Sequence, residues 1–167
     1  MGHDPDQPHA DYPSSMIPVH TKELCMVRIT LELASKIITA TLERRVELGL
    51  KPLCVTVLDA GGHLVALQRE DGASMLRPQI AIAKASGALA LGISSRKIAE
   101  MALERPTFVA SIGPISPDGV VPAAGGVLVI DSDGQLVGAV GVTGDTSDND
   151  EACALAGVAA AGLSALG

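Results

Sequence analysis

The first clear periodicity runs from Lys22 to Leu48, where Leu24, Val27, Leu31, Ala34, Ile38 and Leu42 recur every three or four positions. That spacing predicts an amphipathic helix with Thr21 as N-cap and Gly49 as terminator, and Pro52 bars any continuation. Two short apolar runs follow, Leu53 to Leu58 and His63 to Arg69, separated by Asp59-Ala60-Gly61-Gly62. Runs of that length across a glycine turn predict an antiparallel hairpin. An alanine-rich helix is expected from Gln79 to Leu91, opened by Pro78 and closed by Gly92. A shorter helix is expected from Ser94 or Ser95 to about Leu103. Residues 105 to 125 are rich in proline and glycine and are expected to be loop, with one short strand at Thr107 to Ile112. Val127 to Ile130, the turn Asp131-Ser132-Asp133-Gly134, and Gln135 to Val142 predict a second hairpin. The last helix is placed from Asp148 onward, with Asp148-Asn149-Asp150-Glu151 read as a capping box. Residues 1 to 20 carry four prolines and no hydrophobic period, so they are expected to be a flexible arm preceding one domain over 21–167. This order lacks strict βαβ alternation and points to an α+β fold, an antiparallel sheet with helices packed on it.

Composition narrows the function. The chain has 167 residues, 12 Lys+Arg against 19 Asp+Glu, one Tyr, one Phe and no Trp. A net charge of −7 argues against nucleic acid, which needs a basic face, and the missing aromatics argue against base stacking. Cys25, Cys54 and Cys153 are odd in number and show no zinc spacing, as expected of reduced thiols in the cytoplasm. The amino-terminal segment lacks the pattern of a signal peptide, and the uncharged run Ala152 to Leu166 is too short for a membrane span. The helix at 79–91 and the last helix are dense in alanine and glycine. Glycine within a helix costs about 1 kcal/mol relative to alanine, so Gly157 and Gly162 imply a close neighbour.

Three groups of residues could carry chemistry. Arg77 and Lys84 are seven apart, hence on one helix face, with Arg77 near a helix N-terminus that favours anions. They could hold a carboxylate, either a haem propionate or a small organic acid, or could snorkel from a solvated face. Asp145, Asp148, Asp150 and Glu151 place four hard oxygen ligands beside Gly141-Val142-Thr143-Gly144. They could hold a divalent or ferric ion, or could serve the helix macrodipole alone. His63, after the Gly61-Gly62 turn, could ligate haem iron, act as a general base, or be an ordinary surface histidine. No nucleophile elbow, Walker loop or dinucleotide fingerprint is present. The glycines from Gly138 to Gly144 lie in a strand and its exit and are read as backbone crowding.

The run Val57 to Ala73, with Ile82-Ala83-Lys84-Ala85, Gly125-Gly126-Val127, Gly138 to Gly144 and Asp150-Glu151, resembles the GlcG/HbpS family across residues 22 to 165. The resemblance implies a PAS- or profilin-like domain with one antiparallel sheet of about five strands, a long N-terminal helix, a central helix pair and a C-terminal helix. It also implies a homo-oligomer, often an octamer assembled from dimers. Members are described as haem-binding or as accessory proteins of catabolic operons, and a related domain ends some corrinoid adenosyltransferases. By this resemblance Gly125, Gly126 and Thr143 join Arg77, Lys84 and His63 as ligand-binding candidates; the resemblance fixes no axial ligand, and within its motifs His63, then Thr143, are the conceivable iron contacts. If the protein is instead an enzyme on a small organic acid, Lys84, His63, Asp150 and Glu151 are its acid–base candidates. A third reading is a structural accessory subunit. Leu128 stands where the family usually has proline.

Overall fold

The computed structural model describes residues 28–167. The expected arm, the cap at Thr21 and the start of the first helix at Lys22 lie outside them. The first described helix, α1 (Leu31–Glu47), begins where Thr30 turns extended and its hydroxyl accepts from Leu33 N at 3.2 Å. The helical stripe therefore does not run continuously through Arg28 to Thr30. Ala34, Ile37, Ile38 and Thr41 form its buried face, whereas Leu31 stays exposed. Gly49 follows the end of α1 at φ +64°, as its reading as terminator required.

The first hairpin is β1 (Cys54–Asp59) with β2 (Leu64–Arg69), and the second is β3 (Gly126–Ile130) with β4 (Leu136–Thr143). The helices α2 (Arg77–Leu91) and α3 (Ser95–Glu104) stand between them, close to the expected bounds. Gly92 closes α2 in the left-handed region at φ +67°, and the Ser94 hydroxyl caps α3.

Three expectations fail. Thr107 to Ile112 is not a strand but α4 (Pro106–Ile112), followed by a single 3-10 turn at Gly113–Ile115. Its β-branched residues suggested extension, but Pro106 presets the first helical turn. Val109 and Ile112 are the buried pair, a three-residue spacing that a strand would not give. The last helix, α5 (Ser147–Ala160), is capped by Thr146 rather than Asp148, with the Thr146 hydroxyl accepting from Asn149 N. It also stops earlier than its composition suggested. Gly162 sits in a turn at φ +77°, and Ser164–Leu166 forms β5 against β3.

The five strands make one antiparallel sheet in the order β2-β1-β4-β3-β5. One face buries Val55, Val57, Val127, Val129, Val140 and Val142 against Ile37 and Ile38 of α1 and Cys153, Ala154 and Val158 of α5. The other buries Leu58, Leu128 and Ala139 against Ala85 and Ala88 of α2. The excess of small residues follows from this packing. A Cβ at Gly141 would strike the carbonyl of Ala81, one at Gly126 that of Lys84, and one at Gly157 the Thr41 hydroxyl. Close approach lets a core almost free of aromatics reach interior density.

Candidate functional site

The sheet has two chemically different ends, set by register. Cys54 pairs with Thr143 at one end of β1, and Asp59 pairs with Gly138 at the other. Five residue steps separate them, roughly 16 Å of strand.

At the first end, α2 brings Arg77 and Lys84 onto one face, as their spacing required. Arg77 is half-buried and donates from Nη1 to Thr143 Oγ1 at 2.8 Å. Lys84 is 2% exposed and fully committed: Nζ donates to Val142 O and to Asp150 Oδ2, both at 2.9 Å. Burial pushes the Lys84 amine down and the Asp150 carboxyl up, and the charge of each partner opposes the shift of the other. Asp150 also accepts from Asp145 N at 3.0 Å. Lys84 therefore reaches from α2 on one face of the sheet to α5 on the other, at the start of β3.

Gly125 and Gly126 make that passage possible. Gly125 sits at φ +119°, where a Cβ would lie 2.6 Å from Val142 O and 2.9 Å from Lys84 Nζ. Their structural task is to leave room for Lys84. Lys84 is not an open cation, since its carboxylate comes from the chain itself.

The four acids of the proposed metal cluster separate. Asp145 accepts from Lys51 N, Thr146 N and Asn149 Nδ2, bonds that hold its carboxyl at about 2. Asp148 and Glu151 both take Arg96, at 2.6 and 2.7 Å, and Asp150 takes Lys84. Among the described residues no three His, Cys, Asp or Glu side chains group as metal ligands. The cluster is dispersed because cations from α2 and α3 divide it. Arg96 was not anticipated. A basic residue in the first turn of a helix opposes the macrodipole, and that position was the available signal of an acidic tertiary partner. An open groove of about 430 Å³ runs beside this pair, lined by Arg96, Ala99, Leu103, Ala123, Ala124 and Asp148 among others.

His63 belongs to the other end. Its side chain is 81% exposed, and Nδ1 lies 3.2 Å from Asp59 Oδ1, which also accepts from Gly61 N and His63 N. The backbone bond from His63 leads the effects that lower the Asp59 carboxyl. His63 lies at the opposite end of β1 from the contact between Arg77 and Thr143. The structure thus brings Arg77, Lys84, Thr143 and Asp150 together, with Gly125 and Gly126 around them, and leaves His63 apart.

The model of the family described as "Haem degrading protein HbpS-like" matches residues 29–159. The chain belongs to the HbpS-like family. A 15.0 kDa protein from the dhaT-dhaS intergenic region of Citrobacter freundii is 30% identical over 122 residues, covering 73% of this chain and 84% of that protein. The HbpS crystal structure is 29% identical, with TM-score 0.68 over 80% of this chain and 89% of that one. A PduOC:heme complex, at 22% identity, shares the fold with TM-score 0.74 over 84% of this chain and all of that one. No described helix of this HbpS-like protein is long and apolar enough to cross a membrane.

Proposed function

We propose that the protein is a cytoplasmic, oligomeric accessory protein that binds haem or a comparable acidic cofactor at the Arg77 end of the sheet. The observation that carries this reading is the state of Arg77. Its guanidinium is fixed by Thr143, and no described carboxylate pairs with it. Met75 and Leu76 immediately before it are 86% and 58% exposed, two adjacent apolar side chains beside that guanidinium. These residues fit a haem in two respects: Arg77 would take a propionate, and Met75 and Leu76 would cover part of the porphyrin. The haem relationship of the family and of the PduOC fold supports the same ligand. Bound haem would supply the iron chemistry; the chain's own part is to hold the macrocycle and its carboxylates. Exposed Leu103, Phe108 and Ile115 support an oligomer, built from dimers as in the octamers the resemblance implies.

The test is a haem titration followed by absorbance on the parent and on Arg77→Gln. Loss of a charge-assisted carboxylate bond should weaken haem roughly 10- to 100-fold. Equal affinity in the two proteins would remove Arg77 from the site.

The second reading is an enzyme on a small organic acid, favoured by the Arg77 guanidinium, which no described carboxylate occupies. In that reading Arg77 orients the substrate carboxylate, and an acid–base step requires the buried Lys84–Asp150 pair to part.

A further inference from the structure

Cations and acids are unevenly matched. Among the described residues Arg44, Arg45, Lys84, Arg96 and Lys97 are ion-paired with carboxylates. Arg28, Lys36, Lys51, Arg69, Arg77 and Arg105 are not, and of these Arg69 and Arg77 are the two whose guanidinium groups are hydrogen-bonded within the chain. Both are held instead by neutral oxygens. Arg69 Nη1 donates to Ala73 O at 2.7 Å, as Arg77 Nη1 does to Thr143 Oγ1 at 2.8 Å. A guanidinium has five N–H donors, so most of each fork is left over.

Strand register puts the two groups in one place. Arg69 lies opposite Cys54 across β1–β2, and Cys54 lies opposite Thr143 across β1–β4. Opposed residues share a face, and this row is on the α2 side, where Arg77 meets Thr143. The row spans two strand spacings, roughly 10 Å between the outer Cα atoms, which two arginine side chains can bridge from either end. The row also senses Arg69: burial raises the Cys54 thiol to about 11, and the positive charge of Arg69 pulls against it. The segment from Ala73 to Leu76 connects the two arginines and carries the exposed Met75 and Leu76. Positive potential there is uncompensated by the helix as well. The first turn of α2 has no acidic residue and no side-chain cap.

A monocarboxylate can satisfy one fork, and a ligand with two carboxylates can satisfy both. We propose that Arg69 and Arg77 together bind a ligand bearing two carboxylates, one on each guanidinium. The propionate pair of haem and a free aliphatic dicarboxylic acid share this chemistry. The inference rests on the reading of this end as the ligand site, and it replaces Lys84 by Arg69 as the second cation.

Calorimetric titration with succinate and with acetate, beside a haem titration, tests it on the parent, Arg69→Gln, Arg77→Gln and Arg105→Gln. Arg105 serves as the control because it packs over Phe108, away from the row. Either row variant should weaken the diacid roughly 10- to 100-fold, acetate should bind the parent less well than succinate, and Arg105→Gln should match the parent. Arg69→Lys keeps the charge without the fork and should fall between, which guards against misfolding of the glutamine variant. If haem is the ligand, its affinity falls in parallel in both row variants. If the parent binds succinate but not haem, the two-carboxylate site stands and the haem reading fails. Parental affinity in Arg69→Gln, or a parent that binds neither ligand, overturns the inference.

Discussion

Removing Lys84 should damage the fold before it can damage any chemistry. Lys84→Met deletes the amine that holds Asp150 Oδ2 and Val142 O at 2.9 Å, in a position 2% exposed. Breaking a buried ion pair from one side costs about 3–5 kcal/mol, because the surviving charge is left without compensation. The orphaned Val142 carbonyl adds about 1–3 kcal/mol, and protonation of Asp150, whose carboxyl burial already raises, returns part of the loss. A net cost of about 4 kcal/mol is a large share of the 5–15 kcal/mol that holds a domain together. Asp150→Leu should cost a similar amount. In Lys84→Met/Asp150→Leu no buried charge remains, so the double variant should be more stable than the sum of the singles by about 2–3 kcal/mol. Urea unfolding followed by circular dichroism reads all four corners of this cycle. A single variant within 1 kcal/mol of the parent, or additive losses, would refute the structural role of the pair and return Lys84 to the list of open cations.

Other consequences are independent of that pair. Gly157→Ala should destabilise despite the better helix propensity of alanine, by about 1–3 kcal/mol, because its Cβ meets Thr41 and the Ile37 carbonyl; a rise in Tm would contradict the α1–α5 packing. The Asp145 carboxyl at about 2 lies below its ordinary 3.8, so its stabilising share is complete above the ordinary value and fades as pH falls through 2. Unfolding free energy measured over that acid range should fall less steeply in Asp145→Asn than in the parent, and parallel slopes would refute the assignment. His63→Ala should leave any haem spectrum and affinity as in the parent, since His63 stands at the far end of β1. A displaced Soret band would move the iron to the hairpin end.

Both hairpins, α2 and α3 were legible because local signals agreed with tertiary demand: apolar runs across Gly61-Gly62 and Gly134, Pro78 and Gly92 around α2, and Ser94 before α3. The failures came where local preference and packing diverged. Thr107 and Val109 favour extension as isolated residues, yet Pro106 and the buried pair Val109 and Ile112 select a helix. β5 is three residues long and pairs only through β3, a contact too distant in sequence for any local pattern to carry. At the site, helical spacing correctly put Arg77 and Lys84 on one face. Spacing says nothing about partners, however, and Asp150, 66 residues from Lys84, turns that lysine from a ligand anchor into an internal tie. Arg69 was hidden for a related reason: Glu70 and Asp71 follow it directly and look like its counter-ions. In the fold Glu70 turns instead to Leu53 N and Arg45.

Haem titration of the purified protein, followed by visible absorbance and paired with its mass in solution, tests the account most directly. A saturable Soret band at a fixed ratio of haem to chain, on a defined oligomer, is the predicted result. An oligomer that takes up haem without saturation, or not at all, would contradict the assignment of this HbpS-like protein to haem binding.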